Sequence, residues 1–330
     1  MADPDGPRGP LEALRNAARG GQERFLVALR DAVERPRVAG ALTSEGLVLE
    51  SDSLSGALER LADESFDLAI LDLPAAELDV GEESQPGRDP LAASRELRPF
   101  TDLVLISDGD PLHCGRAFGR EVAAVLPRPL PEVDALLRAH IKRLAGFRRA
   151  RTRGLLVLNA FAGVKADLAA VSPTLAAALE ILARDARRDP AIVVFGDPEL
   201  ARAAGTRGDE PNPDAAVVGL DAGDAIDASL HEARTRAIGA ALVLVDAAPS
   251  AERLASAIYG GARAYLPRAM LDLLGRVAAS AAARRHGEAL GVRIVETLAR
   301  YGILTGVERT RASTPQRDID ARLIADAATP

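Results

Sequence analysis

Short apolar runs alternate along this chain with segments whose apolar residues recur every three or four positions. The runs FLVAL (25–29), LVLE (47–50), FDLAILDL (66–73), TDLVLIS (101–107) and EVAAVL (121–126) are mostly continuous rather than alternating. Continuous runs of that length are what strands covered on both faces require. Between them lie expected helices at 34–44, 53–63, 90–97, 110–119 and 131–147. Pro36 fits only near the start of its helix. In the last segment Val133, Leu136, Leu137, Ile141 and Leu144 follow a helical period. Strand–helix alternation predicts βαβ units, right-handed crossovers and a parallel sheet. The pattern then repeats. LLVLN (155–159), AIVVF (191–195), DAAVVGL (214–220), AALVLVD (240–246) and ARAYL (262–266) are expected strands. Helices are expected at 167–187, 198–204, 224–237, 250–259 and 270–285. LVLISDGDP…AAVLPRPL (103–130) parallels LVLVDAAPS…RAYLPRAM (242–270), which suggests duplication.

This spacing divides the chain into a lead-in (1–21), a first domain (22–150), a second (151–287) and a C-terminal segment (288–330). The lead-in is rich in Pro, Gly and charge and reads as mobile. RRARTR (148–153) passes directly from one half to the next, so no long flexible linker separates them. Its arginines read as charge complementing a helix C-terminus rather than as a nucleic-acid patch. EALGVRIVETLARYGIL (288–304) is amphipathic and packs either on its own domain or on a partner; a polar tail follows.

Composition narrows the classes. Of the 330 residues 48% are hydrophobic and 27% charged, so real cores are available and wholesale disorder is excluded. Aromatics make up 3% with no tryptophan, leaving Ala, Leu and Val to pack those cores. A net charge of −7 argues against a dedicated nucleic-acid binder. Cys114 is the single cysteine, so there is no intrachain disulfide, and its neighbour His113 does not make it a nucleophile, because adjacent helical residues point apart. The four histidines show no metal-ligand spacing. No apolar stretch approaches the roughly 18 residues of a membrane span, and the N-terminus has no apolar signal-peptide core, so a cytoplasmic protein is the expectation. Lys142 and Lys165 are the only lysines; an Arg where Lys is usual therefore carries little weight.

FDLAILDL, the Ser at the end of TDLVLIS, and the Arg-Pro in AAVLPRPL together resemble the receiver domains of bacterial response regulators. The resemblance covers roughly 24–147 and, more weakly, 154–285. It implies an α/β architecture of two flavodoxin-like (βα)5 domains, each a five-stranded parallel sheet in the order 2-1-3-4-5. It places the phosphoacceptor at Asp72, and the switch positions at Ser107, Val125, Arg128 and Pro129. In the second half the same positions fall on Gly219, Asp246, Tyr265 and Arg268, with Asp221 just beyond Gly219 and Ala269 in place of the family's proline.

The departures carry the functional reading. The family holds Mg²⁺ with the phosphoacceptor and an acidic pair after the first strand. Here those positions are Leu29 and Arg30, with Asp31 next, and Asn159 and Ala160 in the second half. Mg²⁺ at the first domain would require Asp31 and Asp72 to cooperate; otherwise no metal or cofactor is expected. Arg30 is positioned to satisfy Asp72 as a permanent ion pair. The expected function is a non-catalytic signalling adaptor built of degenerate receivers, acting by protein–protein binding, with a histidine kinase or another signalling protein as partner. A homodimer through the helix-4/strand-5/helix-5 faces is also expected, with no nucleic acid and no membrane. The alternative is a stand-alone response regulator phosphorylated on Asp72; the third reading is an α/β enzyme, for which no nucleotide-loop or hydrolase motif is present. The acidic loop 77–89 reads as solvated.

Overall fold

A computed structural model describes residues 9–73, 101–205 and 213–305. The loop 77–89, the expected helix 90–97 and the tail beyond 305 lie outside the described residues. The chain divides into two compact units, one of residues 22–145 and 189–286, the other of 9–21, 146–188 and 287–305.

The first unit holds two parallel sheets. Strands β1 (Arg24–Ala28), β2 (Leu47–Ser51), β3 (Leu68–Asp72), β4 (Asp102–Ser107) and β5 (Ala124–Pro127) run in the order β2-β1-β3-β4-β5, the flavodoxin-like arrangement. Helices α2 (Glu34–Leu42), α3 (Leu54–Asp63) and α4 (Pro111–Gly119) cross between them, and α5 (Asp134–Val171) begins after β5. Ser53 caps α3 through the Gly56 N–H, and Asp110 caps α4 through Leu112, with Pro111 in the first turn. Strands β1, β3, β4 and β5 are almost wholly buried, as their continuous apolar runs require.

Among the described residues the second sheet has four strands, where five were expected. Its order is β6 (Ile192–Phe195), β7 (Ala215–Leu220), β8 (Ala241–Asp246) and β9 (Ala264–Pro267). Its helices are α7 (Pro198–Ala204), α8 (Ile226–Arg236) and α9 (Ala251–Tyr259), and a 3₁₀ turn (Arg268–Leu273) leads into α10 (Leu274–Arg300). The expected first strand, LLVLN, is helical: residues 155–159 lie inside α5. An apolar run of that length suits a buried strand and a buried helix alike, and flanking helical residues decide it.

The two lobes share one hydrogen-bond plan. Arg24 N–H donates to Asp67 Oδ2 at 2.7 Å, and Ala191 N–H to Asp214 Oδ2 at 2.9 Å. Asp67 N–H donates to Arg24 O, Asp102 N–H to Asp67 O and Ala123 N–H to Leu103 O. Asp214 N–H to Ala191 O, Ala241 N–H to Asp214 O and Arg263 N–H to Leu242 O repeat them. So β6 stands in the place of β1, and β7, β8 and β9 in those of β3, β4 and β5. Residues 43–67 carry β2 and α3 in the first lobe, whereas only 205–214 join α7 to β7 in the second.

The helix-4 and strand-5 faces, expected to meet a second copy, meet each other inside this unit: α4 packs on β9 and α9 on β5. Tyr259 Oη donates to Pro127 O at 2.7 Å, and Arg284 donates to Asp102 Oδ1 at 2.9 Å and Glu121 O at 2.8 Å. One apolar core runs from Leu26, Leu71 and Phe118 to Val243, Tyr265 and Leu274. Val27, Ile70, Ile106 and Leu126 form a second core on the other face of the first sheet.

The second unit is helical. It comprises α1 (Pro10–Arg19), α6 (Pro173–Asp185) and the latter parts of α5 and α10. Residues 10–19, expected to be mobile, are helical because Leu14 and Ala18 fall on one face and are buried with Val157, Phe161, Leu179 and Ile294. The expected boundaries at 150/151 and 287/288 fall within α5 and α10, so the segments 270–285 and 288–304 join into one helix through Arg300. Helix α5 is long and apolar enough, by length and composition, to cross a membrane, contrary to the expectation that no stretch would be. Val157, Phe161 and Leu168 on it are buried in the helical core.

Candidate functional site

The ends of the parallel strands bring the first lobe's polar residues together. Asp72, the last residue of β3, is 8% exposed. Arg128 follows β5, in a cis peptide with Pro129. Its guanidinium forms a fork on Asp72, Nη1 to Oδ1 at 2.9 Å and Nη2 to Oδ2 at 3.1 Å. The same group reaches Glu34 Oε2 from Nε at 3.0 Å and from Nη2 at 2.8 Å. Hydrogen bonds to Asp72 and Glu34 raise the Arg128 pKa further despite partial burial. The ion pair anticipated for Arg30 is thus made by Arg128, while Arg30 reaches Asp72 Oδ2 through its backbone N–H at 3.4 Å.

Leu29 is buried in the second core and brings no carboxylate. Asp31 is turned to the start of α2: its Oδ1 accepts from Val33 N–H at 2.7 Å and Glu34 N–H at 2.9 Å. Those N–H groups hold its carboxyl below the usual range. Ser107, at the end of β4, donates to Asp108 Oδ1 at 3.2 Å and accepts from Cys114 Sγ at 3.4 Å. Burial pushes the Cys114 thiol up to about 12, so it stays protonated and unreactive. Val125 is fully buried in the strand.

The Mg²⁺ implied by the resemblance does not fit these residues. Both Asp72 oxygens already accept from a guanidinium, Asp31 Oδ1 accepts from two backbone N–H groups, and Glu34 Oε2 is held by Arg128. Among the described residues no group of three or more acidic, His or Cys side chains is placed to hold a metal.

In the second lobe, Gly219 pairs with Val245 as Asp72 pairs with Ile106, so the phosphoacceptor register position has no side chain. A Cβ there would meet Leu200 Cδ1 at 3.0 Å. Asp246 pairs with Pro267 as Ser107 pairs with Pro127. It is fully buried and accepts from Tyr265 Oη at 2.5 Å, Arg253 Nε at 2.6 Å and Nη2 at 3.0 Å, and Ala248 N–H at 3.0 Å. Burial works to raise its pKa, but the bonds from Arg253 and Tyr265 outweigh this and hold it below the usual range. Burial, then Asp246, drive the Tyr265 pKa up. Arg253 also ties down the loop after β7, bonding Asp221 O at 3.1 Å and Asp224 O at 2.9 Å.

Arg268 bonds Asp197 Oδ2 at 2.7 Å and Glu199 Oε2 at 2.8 Å, and Ala269 continues into the 3₁₀ turn. Asn159 and Ala160 lie in mid-α5 rather than at a strand end. Gly196 and Asp197 follow the first strand of this lobe instead. Sequence reasoning passed over Asp197 because it placed the strand at 155–159; the Gly-Asp-Pro capping signature was the available signal. Nothing in the sequence pointed to Glu34 or Arg253, whose partners are assembled only by the fold.

The site is therefore two unlike constellations of ion-paired carboxylates at strand ends. No protein-family model matches the chain. No curated protein matches it. Among solved structures, it is similar to a BeF3-activated DrrB receiver domain, at 19% identity over 38% of this chain and 98% of that one, with a TM-score of 0.30. It is likewise similar to the response regulator DrrB of Thermotoga maritima, an OmpR/PhoB homolog, at 20% identity over 38% and 53% of the two chains, TM-score 0.30. A CheY-like receiver domain protein from Methanospirillum hungatei JF-1 gives 18% identity over 38% and 98%, TM-score 0.29.

Proposed function

We propose that this chain is a non-catalytic signalling adaptor of two-component type, whose two receiver-like lobes act by protein binding without phosphate. The observation that carries this reading is the Arg128 fork on Asp72 and Glu34. An in-line carboxylate nucleophile needs a free oxygen and a cation to neutralise the phosphoryl group. Both Asp72 oxygens accept from Arg128, Asp31 Oδ1 is turned to the start of α2, and the second lobe has Gly219 in the phosphoacceptor position. The fixed guanidinium supplies a permanent positive charge beside Asp72 where a metal would bring an exchangeable one. Protein partners, among them a histidine kinase, are what such a module would engage.

The test is exposure of the purified chain to acetyl phosphate with Mg²⁺, read by intact mass, with Asp72→Ala as control. The expected result is no phosphoryl adduct and no Mg²⁺-dependent rise in melting temperature. An adduct that vanishes in Asp72→Ala overturns the proposal and makes the chain a phosphate-switched regulator.

A further inference from the structure

We infer that the open edge of β6 is a docking site for an extended segment of a partner protein, added parallel to β6 and carrying an acidic side chain opposite Val194. This deepens the adaptor reading by naming the partner's chemistry, and its test does not involve phosphate at Asp72.

In the first lobe, β1 is paired on both sides. On its outer side Glu23 O accepts from Leu47 N–H at 2.9 Å and Leu29 N–H donates to Ser51 O at 3.2 Å, which seats β2. In the second lobe β6 takes the place of β1, and among the described residues it pairs only with β7. Ala191 O faces β7, accepting from Asp214 and Ala215 N–H. Backbone groups alternate in direction along a strand, so those of Ile192 and Val194 face the side on which no described residue pairs with β6.

Exposed edges are normally blunted by charge, proline or cover, because they template further strands. The other edges of these sheets are blunted. Strand β2 carries Glu50, and β5 and β9 are covered by α9 and α4 of the opposite lobe. Ile192–Phe195 has neither charge nor proline, and all four residues are half-exposed. An edge left in this state suits strand addition, in which backbone bonds supply affinity and alternate side chains supply selection.

Charge specifies the occupant. In the first lobe Arg35, on α2, lies 3.6 Å from Glu50 of β2, and Glu50 stands opposite Val27. Arg202, on α7, stands as many residues after Ala191 as Arg35 does after Arg24. It is exposed, makes no ion pair among the described residues, and reaches only Pro198 O on its own helix, at 3.4 Å. In both lobes the helix after the first strand thus carries an arginine, and in the second lobe that arginine meets no carboxylate among the described residues. A second copy fits less well. A twofold pairing of β6 with itself brings no acidic residue to Arg202, and an edge of four residues falls far short of the roughly 1,200 Å² that a stable interface buries.

The probe is the peptide EGLVLESDS, residues 45–53 of this chain, which carries the first lobe's own occupant. Fluorescence polarisation with the full-length protein is expected to show saturable binding, absent with a scrambled peptide. Hydrogen exchange at the Ile192 and Val194 amides is expected to slow on binding. Arg202→Glu in the protein, or Glu→Arg at the sixth position of the peptide, is expected to weaken binding at least tenfold, and the two together to restore it. Val194→Pro removes an outward N–H while leaving the β7 ladder intact, and is expected to abolish binding. No saturable binding, binding indifferent to the charge exchange, or a concentration-dependent dimer that protects β6 without peptide overturns the inference. A negative result here leaves the phosphorylation test standing, and a phosphoryl adduct there leaves the β6 edge as it is.

Discussion

Asp246 is an ion buried in an apolar sheet, stable there only because four hydrogen bonds from three directions replace its water. Tyr265→Phe removes one of them and leaves the cavity filled, so a loss of about 1–3 kcal/mol in urea denaturation is expected. Arg253→Ala leaves the carboxylate without its cation and is expected to cost more, about 3–5 kcal/mol. The Asp246 pKa is lowered by folding, so its contribution is complete above the unfolded value and is lost as pH falls through the folded one. Asp246→Asn is therefore expected to be less stable at neutral pH but flatter below about pH 4. His140 behaves as the same case at higher pH. Burial, then the charges of Arg143 and Arg263, push its pKa well below the ordinary value, and Arg143 donates to its Nδ1 at 3.0 Å while Tyr259 meets the ring edge-on. The unfolded chain takes up a proton near pH 6.5 that the folded chain refuses, so stability falls as pH drops from that value. Urea midpoints for His140→Phe are expected to lose this dependence between about pH 6.5 and 5, while the wild type keeps it.

At the scale of elements, α5 and α10 cross at glycine. A Cβ on Gly291 would lie 1.9 Å from Ala150 O, and one on Gly154 2.7 Å from Gly291 Cα. The obstacle at Gly291 is backbone, which cannot rotate away, so Gly291→Ala must part the helices. A loss of about 2–3 kcal/mol is expected in thermal unfolding, against a gain from helix propensity of at most about 1 kcal/mol. Gly291→Ala that left the melting temperature unchanged would contradict this crossing. The same helix shows where sequence reading stops. In LLVLN every position is apolar except the last, so the spacing of Val157, Phe161 and Leu168 that marks a helical face is hidden by its neighbours. The strands of the first sheet were legible because each is bounded by polar or turn residues, and β2 and β4 lead into helices capped by Ser53 and Asp110. Asp72 and Arg128 were legible as strand-end residues. Their fork was not, because it joins residues whose distance in sequence says nothing about reach, and Arg30 was the nearer guess along the chain.

At the scale of the molecule, the two lobes of the sheet unit share one apolar core, while a second, on the other face of the first sheet, belongs to the first lobe. Phe118 and Cys114 of the first lobe lie in one apolar cluster with Leu266 and Leu274 of the second. Gly115 permits this approach: a Cβ there would meet Met270 Sδ at 2.7 Å and Pro267 Cδ at 3.1 Å. Neighbouring Gly119 does the same against Leu273, at 2.7 Å. Lobes that share a core lose it together, so the sheet unit is expected to unfold as one cooperative block. Amides of β3 in one lobe and β8 in the other should then exchange with the same free energy. Gly115→Leu inserts four carbons where not one fits, and the flexible Met270 can yield while the Pro267 ring cannot. In that variant α4 is expected to part from β9, Tyr259 to lose its bond to Pro127, and the β3 and β8 amides to separate into two stabilities. Equal exchange energies in Gly115→Leu would mean that cooperativity runs through another route. Further paths within the unit are the Arg284 bridge to Asp102 and Glu121 and the Arg276 bond to Gly119 O at 3.2 Å, which Arg284→Ala together with Arg276→Ala would then be expected to cut.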